Sequence, residues 1–225
     1  MRLLLVNPNA SAHITARMAS SAQDELLPAD ELVTVTNTAG PAVVRSAALL
    51  AEAEAAIPSL MQPHVAACDA FVLGISLDGV IDRLRPAWGC KPALGMTEAA
   101  IACAAHVAPR VGLLTLGQAM VPLYEARLNT LLPPARNAGV AAAEMERAFG
   151  HQPGVDDELL QLLVDAAQVL PADAYVLAGA VLCGYDRALQ AALGRPVFDG
   201  IRCAVRMARS GPLGCREVAH SGRTN

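Results

Sequence analysis

Short apolar segments alternate with longer segments of helical periodicity along most of the chain. The apolar segments, rich in Val, Leu and Ala, predict strands near residues 2–7, 31–37, 69–76, 110–116, 138–144 and 174–182, with two more beginning near Pro92 and Pro196. The helical spacing predicts helices near residues 11–26, 43–61, 80–88, 97–107, 118–131, 156–169, 185–193 and 200–209. This alternation is typical of an α/β fold with parallel sheets flanked by helices.

Two segments of the chain repeat each other without a gap. The segment DAFVLGISLDGVIDRLR begins at Asp69 and DAYVLAGAVLCGYDRAL begins at Asp173, and the same spacing of 104 residues also relates Pro92 to Pro196. The repeat covers a strand, a turn and a helix, so it predicts two lobes related by a pseudo-twofold axis. We expect residues 1–96, completed by residues 207–225, to form the first lobe, and residues 97–206 to form the second.

The strand ends predict where a ligand binds. In open parallel sheets, ligands bind beyond the carboxyl ends of strands where the strand order reverses, so four strand tips should meet at an active-site cleft between the lobes. The residues that we expect to bind substrate at these tips are Asn7, Asn9, Gly74, Ile75, Ser76, Thr115, Leu116, Gly117, Gly179 and Ala180.

Several tip residues have two interpretations. Asn7 and Asn9 either bind a substrate carboxylate beside a helix N-terminus or organise a turn and a cap, and both roles are compatible. Thr115 is likewise either a ligand or a cap. The Ser76 hydroxyl and nearby amides suit an oxyanion, but no His adjoins Ser76 in sequence to activate it as a nucleophile. Asp78 is interpreted as a turn or cap residue.

Cys183 is the best placed of the six cysteines for catalysis, because it follows a predicted strand and precedes a helix that Asp186 is expected to cap. The helix dipole there would lower the pKa of the thiol, and a thiol or thiolate serves as acid, base or nucleophile. The alternative is that Cys183 is a small buried apolar residue, which is a common role of free cysteine.

Composition narrows the class of partner. The net charge of −4, the single Trp and the lack of a basic stripe argue against nucleic acid and favour a small-molecule ligand. No apolar segment is long enough for a signal peptide or a membrane span, so we expect a cytoplasmic protein with reduced thiols. No Cys or His spacing suggests a metal site. Ala-rich helix faces are compatible with a homo-oligomer and equally with packing between lobes.

The ordered set of motifs VNPNAS, DAFVLG, GMTEAA, LLTLG and PVFDGI resembles the aspartate/glutamate/hydantoin racemase superfamily, and within it the hydantoin-racemase branch. The resemblance covers roughly residues 1–210. It implies two pseudo-symmetric α/β lobes with a cofactor-free site between them. In family racemases, a cysteine at the second-strand tip of each lobe flanks the substrate carbon, and one removes the proton that the other returns on the opposite face.

Both usual cysteine positions are altered in this chain. The first falls at Gly74 or Ile75, and the second falls at Gly179, four residues before Cys183. The segment Gly74-Ile75-Ser76-Leu77 is similar to the Gly-Thr-Ser-Leu tip of the arylmalonate decarboxylase branch, which keeps a cysteine only at the second tip. By this resemblance, Ser76 and Cys183 are the candidate catalytic residues.

Three hypotheses follow for function. By resemblance, the chain is a cofactor-independent racemase or isomerase that stabilises a carbanion or enolate on a small hydantoin-like or carboxylate substrate. A single thiol is also compatible with a lyase that decarboxylates, eliminates or desulfurates such a substrate. The altered cysteine positions leave a third hypothesis, a binding protein that has lost catalysis.

Overall fold

The computed structural model describes residues 1–145 and 154–210, in which eight strands and eight α-helices alternate. The strands are β1 (Arg2–Asn7), β2 (Glu31–Thr36), β3 (Ala70–Leu73), β4 (Ala93–Gly95), β5 (Val111–Leu116), β6 (Asn137–Ala143), β7 (Ala174–Leu177) and β8 (Val197–Asp199). The helices are α1 (Ala12–Gln23), α2 (Ala47–Met61), α3 (Ile81–Trp88), α4 (Met96–Val107), α5 (Val121–Leu131), α6 (Asp157–Gln168), α7 (Asp186–Leu193) and α8 (Gly200–Ser210).

The strands form two four-stranded parallel sheets with the same strand order. The first sheet has the order β2-β1-β3-β4, and the second has the order β6-β5-β7-β8. In each sheet the direction of the strand order reverses next to the first strand of that half, between β1 and β3 in the first sheet and between β5 and β7 in the second. The predicted α/β fold with two parallel sheets is therefore confirmed.

Backbone contacts recur in both halves at the spacing of the sequence repeat. The carboxylate of Asp69 accepts a hydrogen bond from the N–H of Arg2 at 2.7 Å, and that of Asp173 accepts one from the N–H of Arg110 at 3.1 Å. Both aspartates donate their own N–H groups back to the carbonyls of the same arginines, at 2.8 and 2.9 Å. The sequence repeat is thus a structural repeat.

Successive side chains of a strand point to opposite faces of its sheet, so each sheet packs against helices on both faces. The molecule therefore has five layers, in the order helices, sheet, helices, sheet and helices. One face of each sheet contributes to a shared apolar cluster that we call the seam, with Leu3, Leu5, Ala70, Val72, Val111, Leu113, Ala174 and Val176 as its strand residues. Helices α1, α4, α5 and α8 fill the seam between the sheets. Helices α2 and α3 cover the outer face of the first sheet, and α6 and α7 cover that of the second.

Helices α4 and α8 pack against each other within the seam. A Cβ atom at Gly200 would lie only 2.4 Å from the carbonyl oxygen of Met96. These two residues begin their helices and are related by the 104-residue spacing, so the two helices meet near their N-termini. Close approach of backbones explains why the central layer uses Ala and Gly rather than larger side chains.

The predicted strands at 69–76 and 174–182 are shorter in the structure. β3 ends at Leu73 and β7 ends at Leu177, although the N–H groups of Gly74 and Ala178 still pair with β1 and β5. Beyond these points the chain leaves the sheets but its apolar side chains stay buried, Leu77 in the seam and Ile75 and Leu182 in the outer cores, so apolar character persists without strand geometry. Burial in a loop gives the same sequence signal as burial in a strand.

The lobe boundary at residue 96 stays a prediction, since α4 and α8 both belong to the shared seam. Residues 211–225 of the segment predicted to complete the first lobe, including Cys215, lie outside the described residues. Within residues 1–145 and 154–210, no helix combines the length and the apolar character needed to cross a bilayer.

We predict that Gly200→Ala destabilises the protein by about 1–3 kcal/mol, because the added methyl group meets the backbone of α4. Urea unfolding followed by circular dichroism measures this loss. Gly79→Ala is the matched control, since a Cβ at Gly79 would contact only Arg127 Nη1 at 3.9 Å, and we expect a change within about 0.5 kcal/mol. Equal stability of the two variants would contradict the close contact.

Candidate functional site between the two sheets

The tip of β1 is organised by Asn7, whose side chain is fully buried. Its amide nitrogen donates to Asn9 Oδ1 at 3.1 Å, to the Ser11 carbonyl at 3.2 Å and to Thr15 Oγ1 at 2.9 Å. Its carbonyl oxygen accepts from the N–H of Asn9 at 3.1 Å. Asn7 and Asn9 therefore perform the turn-forming role, and their predicted contact with substrate stays a prediction.

A cysteine at Gly74, at the tip of β3, would require the Met18 side chain to move. A Cβ atom there would lie 2.6 Å from Met18 Sδ and 3.0 Å from the carbonyl oxygen of Val6. Ile75 packs into the outer core of the first sheet, on the face away from the seam. Neither of the two positions at which the resemblance places the first thiol therefore presents a side chain to the seam.

Ser76 belongs to a buried chain of hydroxyl groups. Its Oγ lies 2.6 Å from the hydroxyl of Tyr124, which α5 of the second half supplies. Thr115, at the carboxyl end of β5, also acts on the pKa of the Tyr124 hydroxyl. All three residues are at most 7% exposed, and burial raises the pKa of Tyr124, so its hydroxyl stays protonated at neutral pH. The bond between Ser76 and Tyr124 joins the tip of β3 to α5 of the second half.

Asp78 fixes the loop that carries Ser76. The residue is fully buried, and its Oδ2 accepts hydrogen bonds from the N–H groups of Thr97 and Glu98 at 2.7 and 2.9 Å. Its Oδ1 is paired with Arg127 of α5, at 2.8 Å from Nε and 2.7 Å from Nη2. The cap interpretation of Asp78 is confirmed, but the helix it caps is the distant α4.

The tip of β7 turns sharply before it reaches Cys183. Gly179 has φ +133°, a backbone conformation that favours glycine over a residue with a side chain, and Ala180–Leu182 then form a 3-10 turn. Arg17 of α1 donates from Nη1 to the carbonyl of Cys183 at 3.1 Å and lies over the Tyr185 ring at 5.4 Å. The first half thus holds this tip of the second half.

Two expectations about Cys183 were wrong. Asp186 does not cap α7, because its carboxylate points to Arg202 at 3.3 Å and the residue before the helix, Tyr185, makes no side-chain cap. The pKa of the Cys183 thiol is raised well above its ordinary value, not lowered. Burial is the main cause and the nearby Asp199 carboxylate adds to it, so the helix dipole does not dominate. The thiol is therefore protonated at neutral pH.

Asp199 is the counterpart of Asp78 in the second half. Its Oδ1 accepts from the N–H groups of Ile201 and Arg202 at 2.8 and 3.2 Å, which are the equivalents of the two N–H groups that Asp78 caps. Its Oδ2 accepts from Ser21 Oγ of α1 and from the N–H of Gly184, both at 2.8 Å. The same helix cap is thus built from two different sequence positions.

That difference explains Gly95, which stands 104 residues before Asp199. A Cβ atom at Gly95 would lie 2.2 Å from Asp78 Oδ2. In the first half the loop aspartate occupies the space that the strand-end aspartate fills in the second, so the strand end must be glycine.

Residues of both tips belong to the seam. Cys183, Leu77 and Tyr124 belong to the same contiguous buried cluster, and Ala180 packs against it. Leu116 and Gly117 differ, since Leu116 packs against the outer core of the second sheet and the N–H of Gly117 bonds the Ala143 carbonyl at 3.0 Å. Their predicted contact with substrate stays a prediction.

Sequence reasoning missed Tyr124, Arg17 and Arg127, which lie mid-helix with no motif around them. Their roles depend on which helix faces which loop across the seam. Among the described residues, no group of three His, Cys, Asp or Glu side chains is arranged to bind a metal ion. A surface depression of about 610 Å³ lies at the other ends of the strands, between Gln168 and Arg195, and contains none of the tip residues.

We predict that Asp78→Ala costs about 3–5 kcal/mol of stability, because it leaves Arg127 without its buried partner and two α4 N–H groups without an acceptor. Denaturant unfolding measures this cost. Asp82→Ala is the control, because Asp82 forms an exposed ion pair with Arg85, and such pairs contribute about 0–1 kcal/mol. A cost below about 1 kcal/mol for Asp78→Ala would contradict the buried role.

Comparison with known proteins agrees with the architecture. The chain is 27% identical over 220 residues to a hydantoin racemase of Paenarthrobacter aurescens, covering 93% of this chain and 90% of that racemase. The crystal structure of an allantoin racemase from Pseudomonas fluorescens superposes with a TM-score of 0.79 at 26% identity, covering 93% of this chain and 90% of the other.

Arylmalonate decarboxylase shares the fold, with a TM-score of 0.65 at 16% identity over 96% of this chain and 94% of that one. The family model described as Asp/Glu/Hydantoin racemase matches residues 3–208, which is almost the whole described chain. This match supports an enzyme of the racemase or isomerase kind. The chain belongs to the Asp/Glu/Hydantoin racemase family.

Proposed function

We propose that this protein is a cytoplasmic, cofactor-independent enzyme that forms an enolate at the ring carbon of a small hydantoin-like or related carboxylate substrate. The names of two similar proteins, hydantoin racemase and allantoin racemase, support a hydantoin ring, since allantoin is itself a substituted hydantoin. The observation that carries the proposal is the buried set of hydroxyl groups at Ser76, Tyr124 and Thr115, which shares the seam with the Cys183 thiol.

The reaction needs stabilisation of negative charge more than it needs a strong nucleophile. When the ring carbon beside a carbonyl loses a proton or another group, the electron pair moves onto the carbonyl oxygen. Hydroxyl donors held in a water-poor site stabilise such an oxyanion without reorganising. Ser76 at the first tip and Tyr124 of α5 would supply these donors.

Cys183 would supply the proton on the other side of the substrate. Its burial and its raised pKa keep the thiol protonated, which suits a proton donor to a carbanion. Arg17 and Asp199 hold the backbone on both sides of the thiol, through the Cys183 carbonyl and the Gly184 N–H. These contacts would hold the backbone that carries the sulfur.

A lyase is the second candidate, because the two tips differ in chemistry. Racemisation by two thiols needs one on each face, whereas Gly74, Ile75 and Gly179 offer none at the family positions. A lyase needs only one proton donor, since the bond that breaks leaves its electron pair as the carbanion. This asymmetry favours single-donor decarboxylation, elimination or desulfuration.

We predict that incubation with a single enantiomer of a 5-monosubstituted hydantoin in deuterated water places deuterium at the ring carbon with loss of optical rotation. Proton NMR and polarimetry follow the two changes together. For the lyase, a panel of arylmalonates and substituted hydantoins would release a second product, detected by mass spectrometry. Tight calorimetric binding with neither outcome would indicate a binding protein and contradict the proposal.

Once a substrate is found, we predict that Cys183→Ala lowers kcat by about 10²- to 10⁴-fold, the usual contribution of a positioned acid or base. Steady-state kinetics measure the loss, and the exposed Cys90 provides the control Cys90→Ala, which should retain full activity. Unchanged turnover by Cys183→Ala would remove the thiol from the chemistry.

We predict that Tyr124→Phe lowers kcat by about 10²- to 10³-fold with a smaller effect on KM, because the lost hydroxyl acts on charge that develops in the transition state. Tyr175→Phe is a matched control, since Tyr175 is also buried but donates to the Ala167 carbonyl at 2.9 Å in the outer core. Similar kinetic losses in both variants would point to a general packing effect.

A further inference from the structure

Two cysteines outside the proposed site face each other across the seam. Cys103 lies on α4 and Cys203 lies on α8, the two helices that meet at Met96 and Gly200. Cys203 belongs to the seam and Cys103 packs against it, and each thiol is the strongest influence on the pKa of the other, which places the two side chains next to each other. Both are free thiols.

The two thiols have unequal environments. Cys203 is 4% exposed within the seam, whereas Cys103 is partly buried at its edge. Hydrogen bonding from the Cys203 thiol is the main cause that lowers the pKa of Cys103 to about 7, and the Arg206 guanidinium adds to it by stabilising negative charge. The same hydrogen bond, with burial and the Asp199 carboxylate, raises the pKa of Cys203. Cys103 is therefore the reactive thiolate and Cys203 the protonated partner.

Glu25 is the ion-pair partner of the Arg206 guanidinium. Its carboxylate binds Arg206 at 2.6 and 2.8 Å, which holds the guanidinium in place on the α8 surface. The arrangement resembles the general requirement for a thiol that reacts selectively, namely a partly exposed sulfur beside a cation with a second sulfur in reach.

We propose that Cys103 and Cys203 form a redox-active dithiol that closes into a disulfide joining α4 to α8. With a small disulfide such as oxidised glutathione, the Cys103 thiolate attacks one sulfur and releases one thiolate, giving a mixed disulfide. Cys203 then loses its proton and attacks Cys103, forming the internal S–S bond and releasing the second thiol. One disulfide is reduced to two thiols as the protein dithiol is oxidised, so electrons and protons balance.

The bond would close a loop of about 100 residues and tie the two halves together at their centre. Closure requires about 2.0 Å between the two sulfur atoms, and the helices that carry them already pack against each other within the seam.

Oxidation of the full wild-type chain tests the proposal directly. After treatment with oxidised glutathione, the remaining thiols are blocked with N-ethylmaleimide and the protein is digested for mass spectrometry. We expect a loss of two mass units and one crosslinked peptide pair that contains Cys103 and Cys203. Glutathione retained on Cys103 with Cys203 still a thiol, or a disulfide that involves Cys215 instead, would overturn the proposal.

A second measurement separates the sulfur contact from a merely structural role. Cys203→Ala removes the hydrogen-bond donor, and Cys203→Ser keeps it. At pH 7, iodoacetamide should alkylate Cys103 about tenfold more slowly in Cys203→Ala than in wild type, because the thiolate fraction falls as the pKa returns toward about 8.5. Cys203→Ser should stay within about threefold of wild type. Equal rates in all three proteins would show that the thiols do not interact.

Discussion

The packing of two duplicated halves onto one shared apolar seam is the constraint on which the rest of the structure depends. Each sheet places alternate side chains into this seam and the others into its own outer core. The close approach of Gly200 to Met96 sets how near the halves come. Because the halves share this core, several polar groups buried in it find a partner in the other half.

The polar contacts across the seam follow from this constraint. Arg127 of the second half neutralises Asp78 of the first, and Ser21 of the first half donates to Asp199 of the second. Each aspartate also caps a central helix, so a single carboxylate orients a tip loop, a helix and the opposite half. An unpaired buried charge is costly, which makes the relative placement of the halves specific.

The two tips are equivalent in backbone but different in chemistry. The first has the Ser76 hydroxyl, bonded to Tyr124 of α5, and the second has the Cys183 thiol. Under the proposed function, the hydroxyl groups would stabilise an oxyanion and the thiol would protonate the enolate once. The side chains at the tips, rather than the fold, would then decide which reaction occurs.

The sequence predicted the sheets because the alternation of apolar and helical segments is a local signal. It predicted the duplication from the constant spacing of 104 residues, and the family from the ordered motifs. It did not predict Tyr124 beside Ser76, Arg17 on Cys183 or the cap of α4 by Asp78. These contacts join residues 19 to 166 positions apart, and helix periodicity shows only that such residues lie on a helix face. The raised pKa of Cys183 was missed for the same reason, since burial depends on the whole seam.

A crystal structure with an unreactive ring analogue, such as 5,5-dimethylhydantoin, tests the central claim most directly. The account predicts a ring carbonyl oxygen about 2.6–3.0 Å from the hydroxyl groups of Ser76 and Tyr124, and the Cys183 sulfur on the opposite side of the ring within about 4 Å of its substituted carbon. A ring bound away from the seam, or a sulfur that points away from it, would contradict the account.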